Sequence, residues 1–416
     1  MSRALQGAIF GFAAILTGCG SGGILPAVSP ALAPIVTQSL PPSPIKHVVI
    51  IMQENRSFDN LFNGYPGADT VQSGMHNGQL VALQPVPLSD GRDLNHSHTG
   101  WWKQWNYGKL DGFSDNAYAY VPREDVRPYW NLAAAYTLGD RMFQSNTGPS
   151  FVAHQYMIAA QSGNASENPT GRIWGCEAGS SSRVALVGPN GTDLPGVYPC
   201  FDYSTMADLL DAKKITWRYY APGSTDGFFI ISAFQAIRHI RFGSDWTNNV
   251  ISPETNVLTD IQKGELAQVT WIVPSWAHSD HPGSGDEGPD WVASITNAIG
   301  ASRFWDSTVI FIAWDDWGGW YDHVDPPQID QMGLGFRVPL LVVSPYAKHG
   351  YISHVTHESS GFLAYIEHLY GLPNLGARDA IANDLSDCFD YNQHPRSYVQ
   401  IHTMHTPEAL IRERPS

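Results

Sequence analysis

The chain has 416 residues, 43% of them apolar, with 24 Lys plus Arg against 39 Asp plus Glu and a net charge of −15. That length allows one large or two ordinary domains with a sizeable core. An acidic balance with no basic run excludes the electrostatic footprint of a nucleic-acid binder, and it offers no attraction to an anionic membrane surface.

Residues 1–18 read as a leader. Arg3 gives a positive start, and Ala8 to Leu16 is an apolar stretch too short to span a bilayer. It runs into Leu16-Thr17-Gly18-Cys19, which resembles the lipobox of bacterial lipoproteins. That resemblance implies cleavage before Cys19, lipidation of its thiol, and a membrane anchor at the N-terminus. Residues 19–44 are rich in Gly, Ser, Pro and Ala and read as a flexible tether that stiffens towards Pro41, Pro42 and Pro44. The expectation is an exported lipoprotein, periplasmic or at the cell surface. Export permits disulfides. Cys176 and Cys200 bracket a Gly/Ser/Asn-rich segment and are paired as a loop staple, which leaves Cys388 buried and free.

The first strand is His47 to Met52, a short β-branched and apolar run of the kind buried on both faces of a parallel sheet. It stops at Glu54-Asn55-Arg56. Open α/β sheets bind ligands beyond the carboxyl ends of their strands, so a carboxylate and an amide there suggest a metal or anion site. Residues 64–130 and 162–203 are turn-rich and read as long excursions over the sheet edge. Ser150, after the Gly148-Pro149 turn, opens a helix to Ala160. Taken alone it reads first as an N-cap. The same position presents a hydroxyl and free amides to an anion, and beside a metal that hydroxyl becomes a nucleophile. The segment lacks the G-x-S-x-G elbow, which disfavours acyl transfer.

Ser204 is expected to cap a helix to Lys214, followed by a strand from Ile215 to Tyr220, with another strand from Val269 to Pro274. Asp290 is expected to cap the next helix, and Val309 to Trp314 and Val338 to Ser344 are two more buried strands. Ser359 to Tyr370 is a helix stopped by Gly371 and Pro373. This alternation defines an α/β fold. Residues 45–416 are taken as one domain, because the chemical motifs lie at both ends.

The strand at 309–314 also ends in acids, Asp315 and Asp316. Adjacent buried carboxylates repel, and a cation relieves both the repulsion and the burial. Glu54, Asn55, Asp315 and Asp316 form an oxygen-rich set suited to one divalent ion. Histidines cluster near strand ends and helix starts: His96 and His98, His278 and His281, His323, and His354 and His357. Imidazoles there suit protonation of a leaving oxygen. Trp101, Trp102 and Trp105, with Trp314, Trp317 and Trp320, either line a pocket mouth, where they would hold a choline-like cation, or belong to the core.

With these pieces assembled, the chain resembles the bacterial phosphoesterases that join phospholipases C and an acid phosphatase, distant relatives of alkaline phosphatase. The resemblance rests on E-N-R-S-F-D at 54–59 and D-D-x-G-G-x-x-D-H-V-x-P-P at 315–327. It is supported by W-N-x-G-K-L-D-G-F at 105–113, Asp280-His281-Pro282, R-V-P-L-L-V-V-S-P at 337–345 and I-E-H-L-Y-G-L-P at 366–373. It implies a three-layer α/β/α sandwich with a mostly parallel sheet, alkaline-phosphatase-like. It further implies one metal ion on Glu54, Asn55, Asp315 and Asp316, Ser150 as nucleophile, and His96, His281 and His357 as phosphate contacts or proton donors. The family's second acid is more often Glu where this chain has Asp316, and its second histidine falls at Trp102. The expectation is a metal-dependent phosphoesterase acting on a small phosphate ester or a phospholipid. The rival is a non-catalytic surface lipoprotein that binds a phosphorylated or choline-bearing ligand.

Overall fold

The runs of β-branched and apolar residues form the strands of one large sheet. In the computed structural model, which describes residues 43–412 apart from 189–190, 224–225 and 227–230, these are β1 (His47–Gln53), β2 (Thr137–Gly139), β3 (Trp217–Tyr220) and β4 (Val250–Ile251). They continue with β5 (Val269–Ile272), β6 (Thr308–Trp314), β7 (Leu340–Val343) and β8 (Tyr351–Ser353). The leader, Cys19 and the tether up to residue 42 lie outside the described residues.

The sheet order is β4-β3-β5-β1-β6-β7-β2-β8. Only β7 runs against its neighbours, so the sheet is mostly parallel. β1 lies between β5 and β6. Its residues Val48, Val49, Ile50, Ile51 and Met52 are fully buried, and each contributes roughly 1.5–3 kcal/mol relative to exposure. Burial on both faces explains why the central strands carry continuous apolar runs rather than an alternation.

Helices cover the sheet in two groups, giving a three-layer α/β/α sandwich. The helices are α1 (Arg127–Ala135), α2 (Ser150–Ala159), α3 (Met206–Ala212), α4 (Asn256–Lys263), α5 (Gly288–Gly300) and α6 (Gly361–Tyr370). α5 packs on α1 and α4, while α2 packs on α3 and α6. Two expected caps move. Thr205, not Ser204, caps α3, in a capping box with Asp208. Asp290 lies inside the first turn of α5, where its carboxylate accepts from the amides of Met404 and His405. Tertiary hydrogen bonds to the C-terminal segment take the place of a cap.

The two excursions carry small antiparallel ladders, Ser73–His76 with Gln79–Ala82 and Val184–Val187 with Asp193–Val197. Cys176 and Cys200 are disulfide-bonded across 24 residues, a closure worth about 3 kcal/mol in the chain-entropy picture. Cys388 is free and buried.

Candidate active site

The site begins where β1 and β6 end together. Gln53 pairs with Trp314 in parallel register, so Glu54 and Asp315 leave adjacent strands side by side at the carboxyl edge. Asn55 then turns left-handed, with φ 57°, a conformation asparagine tolerates better than most residues. Its amide donates to Asp315 Oδ1 at 2.8 Å. The facing turn needs glycine, because Gly318 has φ 62° and a Cβ there would lie 2.1 Å from the Asn55 carbonyl oxygen.

Ser150 reaches this edge from a third element. It is the first residue of α2, with Pro149 in the cap position, so its side chain is free of the capping role. Its Oγ donates to Asp316 Oδ2 at 3.3 Å. The neighbouring amides are already engaged, contrary to the expectation of free donors: Phe151 N donates to Asn168, and Val152 N and Ala153 N donate to the Pro149 carbonyl. What the helix start offers an anion is its dipole. His96 completes the group. Its Nδ1 bonds the Leu94 carbonyl at 2.7 Å, and its Nε2 lies 3.3 Å from Asn55 Nδ2.

One member was not anticipated from the sequence. His154 lies one turn beyond Ser150 on α2, and its Nε2 is 2.9 Å from Glu54 Oε1 and 3.8 Å from Asp315 Oδ2. The S-x-x-x-H spacing, which puts both residues on one helix face, was the available signal.

The electrostatics of this group do not close. Glu54, Asp315 and Asp316 are fully buried. Their only ion-pair partner among the described residues is His154, whose pKa burial pushes down to about 4, leaving it uncharged at neutral pH. Burial, then repulsion from Asp315 and Asp316, raises Glu54 well above the carboxylate range. Burial and Asp315 push Asp316 up to about 8. Glu54 Oε2, Asn55 Oδ1 and Asp315 Oδ2 are buried without a hydrogen-bond partner. Unpaired buried oxygens of this kind are costly unless a cation takes them. The donor set therefore fits a divalent metal ion with oxygen ligands.

The remaining histidines divide. His281 sits on a loop pinned to β1, because Gln53 donates to the His278 carbonyl and accepts from the Asp280 amide, each at 3.0 Å. The Asp280 carboxylate accepts from Tyr129 and from the Trp314 indole, each at 2.8 Å. Burial lowers the His281 pKa, against the pull of Asp93. Burial also works against charge on His96, but Asp316 and Asp93 outweigh it and raise its pKa. His357 is not drawn into the group by hydrogen bonds; its Nε2 bonds Ser353 at 3.1 Å and pairs with Asp387 at 3.2 Å. His98 spends both ring nitrogens on Thr147 and Trp102. His278 stacks on Trp291 and pairs with Glu254.

The pocket-mouth reading of the tryptophans fails for four of them. Trp101, Trp314, Trp317 and Trp320 are fully buried, and only Trp102 is well exposed, at 41%. Trp317 donates to Gln104, and Trp320 lies beneath Arg56 and Arg92.

A second buried acid cluster ties the same two motifs together. Arg337 Nε donates to Asp322 Oδ1 at 2.7 Å, and its NH2 lies 3.4 Å from Asp59 Oδ1. His323 Nδ1 meets Asp59 Oδ2 at 2.6 Å. Arg337 also donates to the carbonyls of Asp69 and Asp140 and stacks over Phe58.

The chain is a member of the Phosphoesterase family, whose model matches residues 45–373. Among curated relatives it is similar to a hemolytic phospholipase C of Pseudomonas aeruginosa, at 25% identity over 89% of this chain and 59% of that protein. It is likewise 25% identical to phospholipase C A of Mycobacterium tuberculosis, over 85% and 78%, and to non-specific phospholipase C6 of Arabidopsis thaliana, over 85% and 74%. The chain thus spans about three fifths of the Pseudomonas relative. Among solved structures, a protein of the alkaline phosphatase superfamily from Vibrio parahaemolyticus matches 83% of this chain and 74% of its own, with a TM-score of 0.40 at 11% identity.

Proposed function

We propose that this protein is a phospholipase C-type phosphodiesterase that uses Ser150 as its nucleophile and requires one divalent metal ion. The observation that carries this is a group of buried acid and amide side chains at one sheet edge, with three oxygens that meet no hydrogen-bond partner among the described residues and with Asp316 bonded to the Ser150 hydroxyl. Glu54, Asn55, Asp315 and Asp316 would hold the ion. When bound, it supplies Lewis-acid stabilisation of phosphoryl charge and lowers the pKa of a nearby hydroxyl.

The chain's own groups supply the rest. Asp316 Oδ2 accepts the Ser150 proton along their existing hydrogen bond, and the α2 dipole favours the resulting oxyanion. Ser150 Oγ attacks phosphorus, the bond from phosphorus to the alcohol oxygen breaks, and a phosphoseryl ester forms. His96 or His281 gives a proton to the departing alcohol. The same histidine then takes a proton from the water that attacks phosphorus, the bond from phosphorus to Ser150 Oγ breaks, and Asp316 returns its proton to Oγ as the phosphorylated head group leaves. The names of the relatives support a phospholipid diester as substrate, with diacylglycerol as the alcohol. The reading also includes export and a lipid anchor at Cys19, supported by the N-terminal sequence.

The test is hydrolysis of nitrophenyl phosphorylcholine and nitrophenyl phosphate by the purified protein, with and without EDTA and beside Ser150→Ala. Turnover of the diester that EDTA removes, and that the substitution cuts about a thousandfold or more, is the expected result. Preference for the monoester would recast the protein as an acid phosphatase. Tight binding of phosphorylcholine with no turnover by the metal-loaded protein would leave only a binding role.

A further inference from the structure

His154 is not one of the residues the sequence motifs mark, yet it is buried against the acids of the site. We propose that His154 is a positioning residue: its Nε2–H holds Glu54 Oε1 in a fixed hydrogen bond and so presents Glu54 Oε2 to the metal ion. This rests on the metal-dependent reading above and deepens it.

Geometry decides between this role and direct ligation. His154 and Glu54 are buried, at 1% and 0% side-chain exposure, and their atoms are 2.9 Å apart. The opposite ring nitrogen, Nδ1, is buried and meets no hydrogen-bond partner among the described residues. A ligating histidine almost always donates its other N–H to a carboxylate, carbonyl or water, which fixes the tautomer with the ligating nitrogen bare. Here that arrangement would strand an N–H at Nδ1 in a dry place. A proton on Nε2 instead has a carboxylate acceptor in line, and only a lone pair is left over at Nδ1. Glu54 then has one oxygen spent on His154 and one, Oε2, that meets no hydrogen-bond donor among the described residues.

The backbone supports the role. His154 is four positions beyond Ser150 on α2, so one rigid helix sets both the nucleophile and the group that orients the carboxylate that would hold the ion.

Two measurements test this. The first is the histidine tautomer in metal-free protein, read from long-range 15N–1H correlations assigned by comparison with His154→Gln. The Nε2–H tautomer is expected once the pH is high enough to ionise the raised Glu54 carboxyl, and a proton on Nδ1 there would overturn the proposal whether or not the protein binds metal. The second is manganese affinity by calorimetry for the wild type, His154→Gln and His154→Leu, with folding checked by thermal melting. Glutamine keeps a donor at a similar reach and should bind within about threefold of wild type; leucine should bind roughly 10- to 100-fold more weakly. Equal affinity in the leucine variant would overturn it, as would a directly bound nitrogen seen by pulsed electron paramagnetic resonance of the manganese protein and lost in His154→Gln. Failure of the wild type to bind any divalent ion would sink the metal-dependent function, and the tautomer result would still decide the hydrogen bond.

Discussion

Two buried acid clusters lie along the same two motifs, and they solve the same electrostatic problem differently. Asp59 and Asp322 are matched by the Arg337 guanidinium and by His323. Glu54, Asp315 and Asp316 pair with no arginine or lysine among the described residues, and the one group that forms an ion pair with them there, His154, is held neutral by burial. Burial and Asp322 raise the Asp59 pKa, but Arg337 and His323 pull against them. At the other cluster burial and mutual repulsion both raise Glu54, and they outweigh His96, the Gly318 amide and Ser150 at Asp316. A cluster that supplies its own cation is a structural brace. A cluster that does not, placed beside a hydroxyl at the carboxyl edge of a parallel sheet, is the one the proposed function assigns to a metal ion.

The comparison is broken most directly by removing the internal cation. Arg337→Met strands two buried carboxylates and should cost about 3–5 kcal/mol, read as a lower midpoint in urea. The loss should be the same with and without EDTA. If added divalent metal restored that stability, the brace would be a second metal site.

Next in size is the response of the other cluster to metal. A saturating divalent ion, at about a hundred times its dissociation constant, should stabilise the wild type by roughly 2.7 kcal/mol. Asp315→Asn should lose most of that gain in a thermal melt. An unchanged gain would place the ion elsewhere.

The pH dependence sharpens the contrast. Asp316 has a folded pKa of about 8, above its unfolded value, so the folded state binds more protons between the two. Its contribution is fully present below the unfolded pKa and is lost as pH rises through the folded one. Metal-free protein should therefore lose stability as pH climbs from about 4 to 8, with burial-raised Asp280, at about 6, adding in the same sense. Metal binding near neutral pH should release protons, measurable by calorimetry in buffers of different ionisation enthalpy.

The smallest effect is expected at His323. Its pKa is raised because Asp59 outweighs burial, so its support for the brace is full below the ordinary histidine value and fades as pH rises past the folded one. His323→Gln should cost about 1 kcal/mol near pH 5.5, and less at pH 8. A cost that grew with pH would mean His323 acts as a neutral hydrogen-bond donor.

Much of this was legible in the linear chain because strands and their ends are local. The run Val48–Met52 followed by Glu54 and Asn55, and the run Val309–Trp314 followed by Asp315 and Asp316, mark two buried strands that stop at polar residues. Burial of a strand on both faces is written in its composition, and glycine pairs such as Gly318-Gly319 mark the turns that only they permit. Caps were less legible. Asp290 has the composition of an N-cap, but its carboxylate bonds amides more than 100 residues away.

What the linear chain left open was pairing across distance. Ser150 has the form of a cap at the start of α2, and only its approach to Asp316, 166 residues away, gives its hydroxyl a chemical partner. His154 lies on a helix that is buried along its whole length, and nothing in its own neighbourhood distinguishes it from core. Arg337 meets Asp322 and Asp59 because β7 runs antiparallel beside β6, so the residues just before it lie at the carboxyl edge. Whether a buried carboxylate is braced or bare depends on what the folded chain brings within about 4 Å of it, because charge–charge interaction in a dry interior is strong and steep in distance. Residue identity and order set which acids are buried; the packing of the sheet and its helices sets which of them keep a counter-charge.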